Sequence, residues 1–175
     1  IRLSLVGSEM CIRDRGRMYG TNVKLVKNSA DFIGLNYYTH VLTSPFLPQT
    51  TEIDLPARKH ETVTEFGYTM YPEGMIRATK WLSKLKIPIE VTENGVADAN
   101  DSLRPKHIEM HLWMISKLIA DNVNIRSYYH WSLMDNFEWA EGYSMRFGLY
   151  HVDYESQKRT LRESGKLYQK IIKEN

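Results

Sequence analysis

The chain has 175 residues, 42% of them hydrophobic and 25% charged, with a formal net charge of +2, the make-up of ordinary globular protein. Its basic residues are scattered rather than gathered into a phosphate-tracking surface, which argues against nucleic acid as a partner. No run of about 18 apolar residues occurs, so no membrane partner is expected either.

Residues 1 to 15 (IRLSLVGSEMCIRDR) show neither helical nor strand periodicity. The run LSLVGSEMCIRDR resembles translated adapter read-through, so 1–15 is expected to be a foreign leader and 16–175 part of a single catalytic domain. Its apolar stretch has no charged leader and no clean cleavage site, so no signal peptide is read there. Cys11, the one cysteine, leaves no pair for an internal disulfide. That suits a reducing compartment and makes the cytoplasm the expected location.

From there strands and helices alternate, the pattern of a parallel α/β sheet. Asp31 to Tyr38 (DFIGLNYY) is an apolar strand ending in polar aromatics. Residues 39–71 form a long loop containing Pro45, Pro48 and Pro56, a length that usually carries function. Pro72 opens a helix to about Lys86 with Met75, Ile76, Thr79 and Leu82 on one face. Pro88 to Glu93 is a second strand, stopped by Asn94-Gly95. A helix from near Pro105 sets Ile108, Leu112, Ile115 and Ile119 in a buried stripe. Val123 to Ser132 is a third strand, Met145 to Tyr154 holds two short extended runs about Gly148, and 161–173 is a final helix with Leu167, Ile171 and Ile172 as its apolar set. The pattern predicts three βα units. A closed barrel needs eight strands, so either this is a small open α/β domain or most of a barrel lies upstream.

Two clusters could carry chemistry. Glu93 stands at the C-terminal end of its strand, where parallel α/β folds place catalytic groups; a turn former or helix N-cap is the plainer reading of such an acid. Glu90, three residues earlier, is expected on the opposite face and in a local ion pair. The second cluster runs from Trp131 to Trp139 (WSLMDNFEW). Rings that stack on a sugar and carboxylates that accept from its hydroxyls would make a sugar site, and a packed aromatic corner with solvated acids explains the cluster equally well.

The stretches DFIGLNYYT (31–39), YPEGM (71–75), PIEVTENGVAD (88–98), HWSLMDNFEWAEGYSMRFGLYHVDY (130–154) and KRT (158–160), in this order and spacing, resemble glycoside hydrolase family 1, the β-glucosidase and β-galactosidase family. The resemblance implies that the three units are the C-terminal part of a (β/α)₈ barrel, strands six to eight. It implies Glu93 as catalytic nucleophile of a retaining β-glycosidase, with the Tyr38 hydroxyl hydrogen-bonded to it. Asn36 and Tyr38 would line the site, Trp131 stack beneath the sugar, Glu138 and Trp139 bind its outer hydroxyls, and Phe147 close one wall. The expected substrate is a small β-glycoside or oligosaccharide, with no metal and no cofactor. The family's acid/base glutamate belongs to an Asn-Glu-Pro motif that this sequence lacks, so these 175 residues alone are expected to be inactive. A non-catalytic sugar-binding or scaffold protein on the same barrel is the alternative. A phosphosugar-specific enzyme is disfavoured, because Glu138 would repel a phosphate. Tyr68 stands where many relatives have Trp, on the leaving-group side; it keeps a ring and adds a hydroxyl, so the resemblance fixes the chemistry but not the leaving-group preference.

His107 and His111 are spaced i, i+4 on a helix, but Ile108 stands where a zinc protease needs Glu, so both are read as packing or surface residues. Lys158 and Arg159, near Arg162, read as a solvated face.

Overall fold

The computed structural model describes residues 30–40 and 60–174. The expected leader, Cys11 and the prolines of 39–59 lie outside these residues.

Three apolar runs pair as a parallel sheet: β1 (Ile33–Asn36), β2 (Ile89–Asn94) and β3 (Ile125–His130), in that order across the sheet. Helix α1 (Glu73–Leu82) connects β1 to β2 and α2 (Arg104–Ala120) connects β2 to β3. An antiparallel hairpin, β4 (Tyr150–Val152) with β5 (Arg159–Leu161), leads into α3 (Glu163–Glu174). The core lies between the sheet and its helices. Leu35, Ile89 and Val91 from the strands, with Tyr37 just past β1, meet Met75 and Leu82 of α1 and Ile115 of α2.

The helix ends follow local rules. Pro72 occupies the N-cap of α1, and the 3₁₀ turn Ser83–Leu85 after it stops at Lys86, whose φ of 57° is left-handed; the helix expected to reach Lys86 therefore ends a turn early. Two aspartates in the β2–α2 loop cap two different helices. The Asp98 carboxylate accepts the N–H groups of Leu103 and Arg104 at 2.7 and 2.9 Å, at the start of α2. Asp101 accepts the N–H and hydroxyl of Ser164 at 2.8 and 2.5 Å, at the start of α3. Burial by itself would raise the Asp98 carboxyl, but these backbone donors and the Arg104 charge outweigh it and hold the group below its ordinary value.

Four expectations change. First, Glu90 and Glu93 do not face opposite ways. Gly34 pairs with Glu90 and Asn36 with Glu93, and the register shifts by one residue between Leu35 and Asn36. Gly34 and Asn36 share a face of β1, so the extra residue of β2 brings Glu93 round to the face of Glu90. Glu90 makes no ion pair among the described residues. Second, the amphipathic stripes are narrower than the spacing suggested: Ile119 and Ile172 are more than half exposed. In α2 the buried face instead takes Arg104, His107, Ile108, His111, Met114, Ile115 and Leu118. Third, only one extended run follows Gly148, and Leu161 belongs to β5 rather than to the final helix. Fourth, Lys158 and Arg159 are exposed as read, but the solvated face stops short of Arg162, which is buried against Asp135.

Candidate active site

The C-terminal ends of the three strands place polar and aromatic side chains side by side. Just past β1, the Tyr38 hydroxyl donates to Glu93 Oε2 at 2.8 Å. Burial, then the hydrogen bond to Glu93 and the charges of Glu93 and Glu138, push the Tyr38 phenol well above its ordinary value, so it keeps its proton and remains a donor. Asn36 is exposed on β1, and its Oδ1 accepts the Thr92 hydroxyl at 2.7 Å. The adjacent Asn94 faces the core, donating to the Tyr37 carbonyl at 2.7 Å and accepting the Tyr128 hydroxyl at 2.9 Å. This pair of hydrogen bonds fixes the strand end that carries Glu93.

Trp131 follows β3, and its N–H donates to the Asn94 carbonyl at 2.9 Å. Gly95 makes that approach possible, since a Cβ there would lie 1.8 Å from the Trp131 carbonyl oxygen. The half-buried Trp131 side chain hydrogen-bonds to Glu138. Burial and, against that hydrogen bond, the charge of Glu93 raise the Glu138 carboxyl above its usual range. Glu138 therefore lies within reach of the Glu93 charge at the strand ends. Phe147 is buried and meets Tyr38 edge-on, with ring centroids 6.4 Å apart. Trp139 does not join this group: it is 83% exposed, on the 3₁₀ turn Trp139–Glu141.

A β-turn hairpin spanning 62–70 adds two rings, Tyr68, already singled out in the sequence, and Phe66, which is not. Thr64 and Met70 N–H groups bond to the carbonyls of Tyr68 and Thr62, and Gly67 turns the tip with φ of 83°. Tyr68 lies 6.1 Å from the Tyr38 ring and 4.7 Å from Phe66, and Phe66 lies 5.8 Å from Phe147. Burial first, then the Glu138 charge, raises the Tyr68 phenol. Phe66 carries no signal in the sequence that separates it from core filler.

The loop between β3 and β4 is held by Asp135, which is buried. Its carboxylate accepts the N–H groups of Gly148 and Val152 at 2.9 and 3.1 Å and both Arg162 Nη atoms at 2.9 and 3.2 Å, with Arg146 at 3.4 Å. Burial would raise this carboxyl, but Arg162 and the two backbone donors hold it low. Arg162 Nη1 also reaches the Gly148 carbonyl at 2.6 Å. A Cβ at Gly148 would lie 2.2 Å from the Asp135 nitrogen, so the neighbour of Phe147 is fixed in place by backbone contact.

Behind the sheet, His107, His111 and His130 cluster in the core, with ring centroids 4.0 Å apart between the first pair and 6.3 Å between His107 and His130. Burial drives all three down, His111 to about 4 and His130 to about 3. They are packing residues. Among the described residues no group of three or more His, Cys, Asp or Glu is disposed to hold a metal ion, and no helix is long and apolar enough to cross a membrane.

The model of the family described as "Glycosyl hydrolase family 1" matches residues 9–175. A β-galactosidase of Pyrococcus woesei is 36% identical over 163 residues, 83% of this chain and 32% of its own length. A 1,4-β-D-glucan glucohydrolase of Thermotoga neapolitana is 37% identical over 175 residues, 91% of this chain and 38% of its own. Among solved structures, the hyperthermophilic β-glucosidase from Pyrococcus furiosus superposes with a TM-score of 0.78 at 34% identity, over 95% of this chain and 38% of that one. The Thermotoga maritima β-glucosidase solved with glucoimidazole gives 0.71 at 34% identity, over 82% and 34%. The chain thus spans about a third of the length of the relatives it matches. A (β/α)₈-barrel glycosidase family accounts for the parallel sheet, the acid at its C-terminal edge and the match across nearly the whole sequence: this chain belongs to glycosyl hydrolase family 1.

Proposed function

We propose that these residues are the C-terminal part of a retaining, exo-acting β-glycosidase that cleaves terminal β-glucosides and β-galactosides, with Glu93 as nucleophile. The observation that carries this reading is the Tyr38–Glu93 hydrogen bond at the strand ends, beside Glu138 and Trp131. β1, β2 and β3 would be the sixth to eighth strands of the barrel.

Glu93 attacks the anomeric carbon and the leaving oxygen takes a proton from a second carboxyl group, giving a glycosyl-enzyme that water then hydrolyses with that group acting as base. Such a pair stands roughly 5–5.5 Å apart. The partner is supplied from outside these 175 residues, which contain no Asn-Glu-Pro, so the segment alone does not turn over. The Tyr38 hydroxyl orients the nucleophile by holding one of its oxygens. Glu138 and Asn36 supply hydroxyl contacts to the sugar, Trp131 its stacking surface and Phe147 a wall. The relatives, a β-galactosidase and a β-glucosidase, support this substrate class. Two carboxyl groups suffice for the chemistry, with no cofactor.

The test is Glu93→Gln in the full-length protein. Hydrolysis of an aryl β-glucoside should fall by about 10³-fold or more, since the nucleophile's charge is lost, with sugar binding kept. A fluorosugar with slow turnover should leave its label on Glu93. Label on Glu90 or Glu138 would overturn the assignment, and binding without any hydrolysis by the parent would favour a sugar-binding scaffold.

A further inference from the structure

The 62–70 hairpin is tied down at both ends. At its base, the Thr39 hydroxyl, one residue past Tyr38, donates to the Thr69 carbonyl at 2.9 Å and accepts the Thr69 N–H at 3.1 Å. Near its tip, the Glu65 carboxylate spans the backbone N–H of Ala99, with its two oxygens at 3.0 and 3.1 Å. Ala99 is a fixed anchor. Its neighbour Asp98 is buried, donates its own N–H to the Arg146 carbonyl at 3.0 Å, and caps α2. Between the two ties lie Phe66 and Tyr68, whose rings reach Phe147 and Tyr38.

We propose that Glu65 is a positioning residue, a latch that holds the Phe66–Tyr68 platform against the loop following Glu93 and so sets affinity for the leaving-group part of the substrate. The proposal rests on the glycosidase reading above. The Glu65 hydrogen bonds go to a backbone amide, so it acts through the loop rather than on the sugar. Because it is exposed, the latch competes with water, so its removal loosens the platform without unfolding the domain. Substrates that use the platform, with aromatic leaving groups, should notice. Those with a methyl leaving group, which offers the platform no ring, should not.

The experiment uses the full-length protein with Glu65→Ala, Glu65→Gln, Phe66→Ala and the Glu65→Ala/Phe66→Ala double variant. KM and kcat are measured for nitrophenyl and methyl β-glucosides. Binding of phenyl and methyl β-thioglucosides, which are not turned over, is measured by calorimetry. Glu65→Ala should raise KM for the nitrophenyl glycoside and Kd for the phenyl thioglycoside about 3–10-fold, leaving the methyl pair within twofold. Glu65→Gln keeps an acceptor oxygen and should recover most of the loss. Adding Glu65→Ala to Phe66→Ala should cost little more, because the ring the latch holds is already gone. Equal losses on methyl and aryl ligands, an additive double variant, or no change in Glu65→Ala would each overturn the latch. A thioglycoside shift in a protein that hydrolyses neither substrate would keep the latch and overturn the glycosidase reading.

Discussion

Asp135 and Glu138 are three residues apart in one motif, and their surroundings are opposite. Asp135 is buried with two backbone N–H groups and the Arg162 guanidinium around its oxygens, and its carboxyl is held low. Glu138 has the Trp131 side chain as its partner and feels the charge of Glu93, and its carboxyl is raised. A carboxylate whose lone pairs are filled from within the chain is a structural tie. One left with spare acceptor capacity beside a second acid at the strand ends has hydrogen bonds to offer a ligand.

The largest expected effect comes from breaking the satisfied side. Asp135→Ala leaves Arg162 buried without its partner, and such a loss costs about 3–5 kcal/mol. Urea unfolding of the full-length protein should show a drop of that size. A drop below about 1 kcal/mol would mean that the Asp135–Arg162 pair is no better than a surface ion pair.

The histidine cluster extends the comparison to buried groups satisfied only in part: His111 Nδ1 meets the His107 carbonyl at 2.8 Å. Both ring nitrogens of His130 lack a partner among the described residues. His130 at about 3 and His111 at about 4 bind fewer protons folded than unfolded, where the ordinary value is 6.5. Their contribution is complete above about pH 6.5 and is lost as pH falls toward those folded values, at about 1.4 kcal/mol per pH unit for each group. Arg104, Glu73, Tyr37 and Tyr168 are the charged and titratable groups facing the cluster. His130→Leu should reduce the slope of stability against pH between 6 and 4.5 by nearly one proton. An unchanged slope would show that this imidazole is already charged in the folded protein.

The smallest effect sharpens the Glu138 side. Glu138→Ser should leave the urea midpoint nearly unchanged while lowering kcat/KM for plain glucosides by at least about tenfold, equivalent to roughly 1.4 kcal/mol. It should also narrow the gap between plain and 6-phosphorylated nitrophenyl glycosides, since a like charge is removed. Equal loss on both substrates would make Glu138 a support like Asp135.

Order along the chain made much of this legible in the sequence. The apolar runs marked the cores of β1, β2 and β3, Pro72 and Pro105 marked two helix starts, and Asn94-Gly95 marked the strand end at Glu93. These signals are local, carried by residues within a turn or a strand of one another. Tertiary structure alone decided which acid turns inward, because Asp135 meets Arg162 27 residues away and no spacing rule reaches so far. It turned Glu93 onto the face of Glu90, since an alternation count cannot include the residue that a shift of strand register absorbs. It also buried His107 and His111 where a helical wheel allowed surface or core. Periodicity reports the phase of a side chain around its own element, whereas burial and charge depend on what the neighbouring elements bring to it.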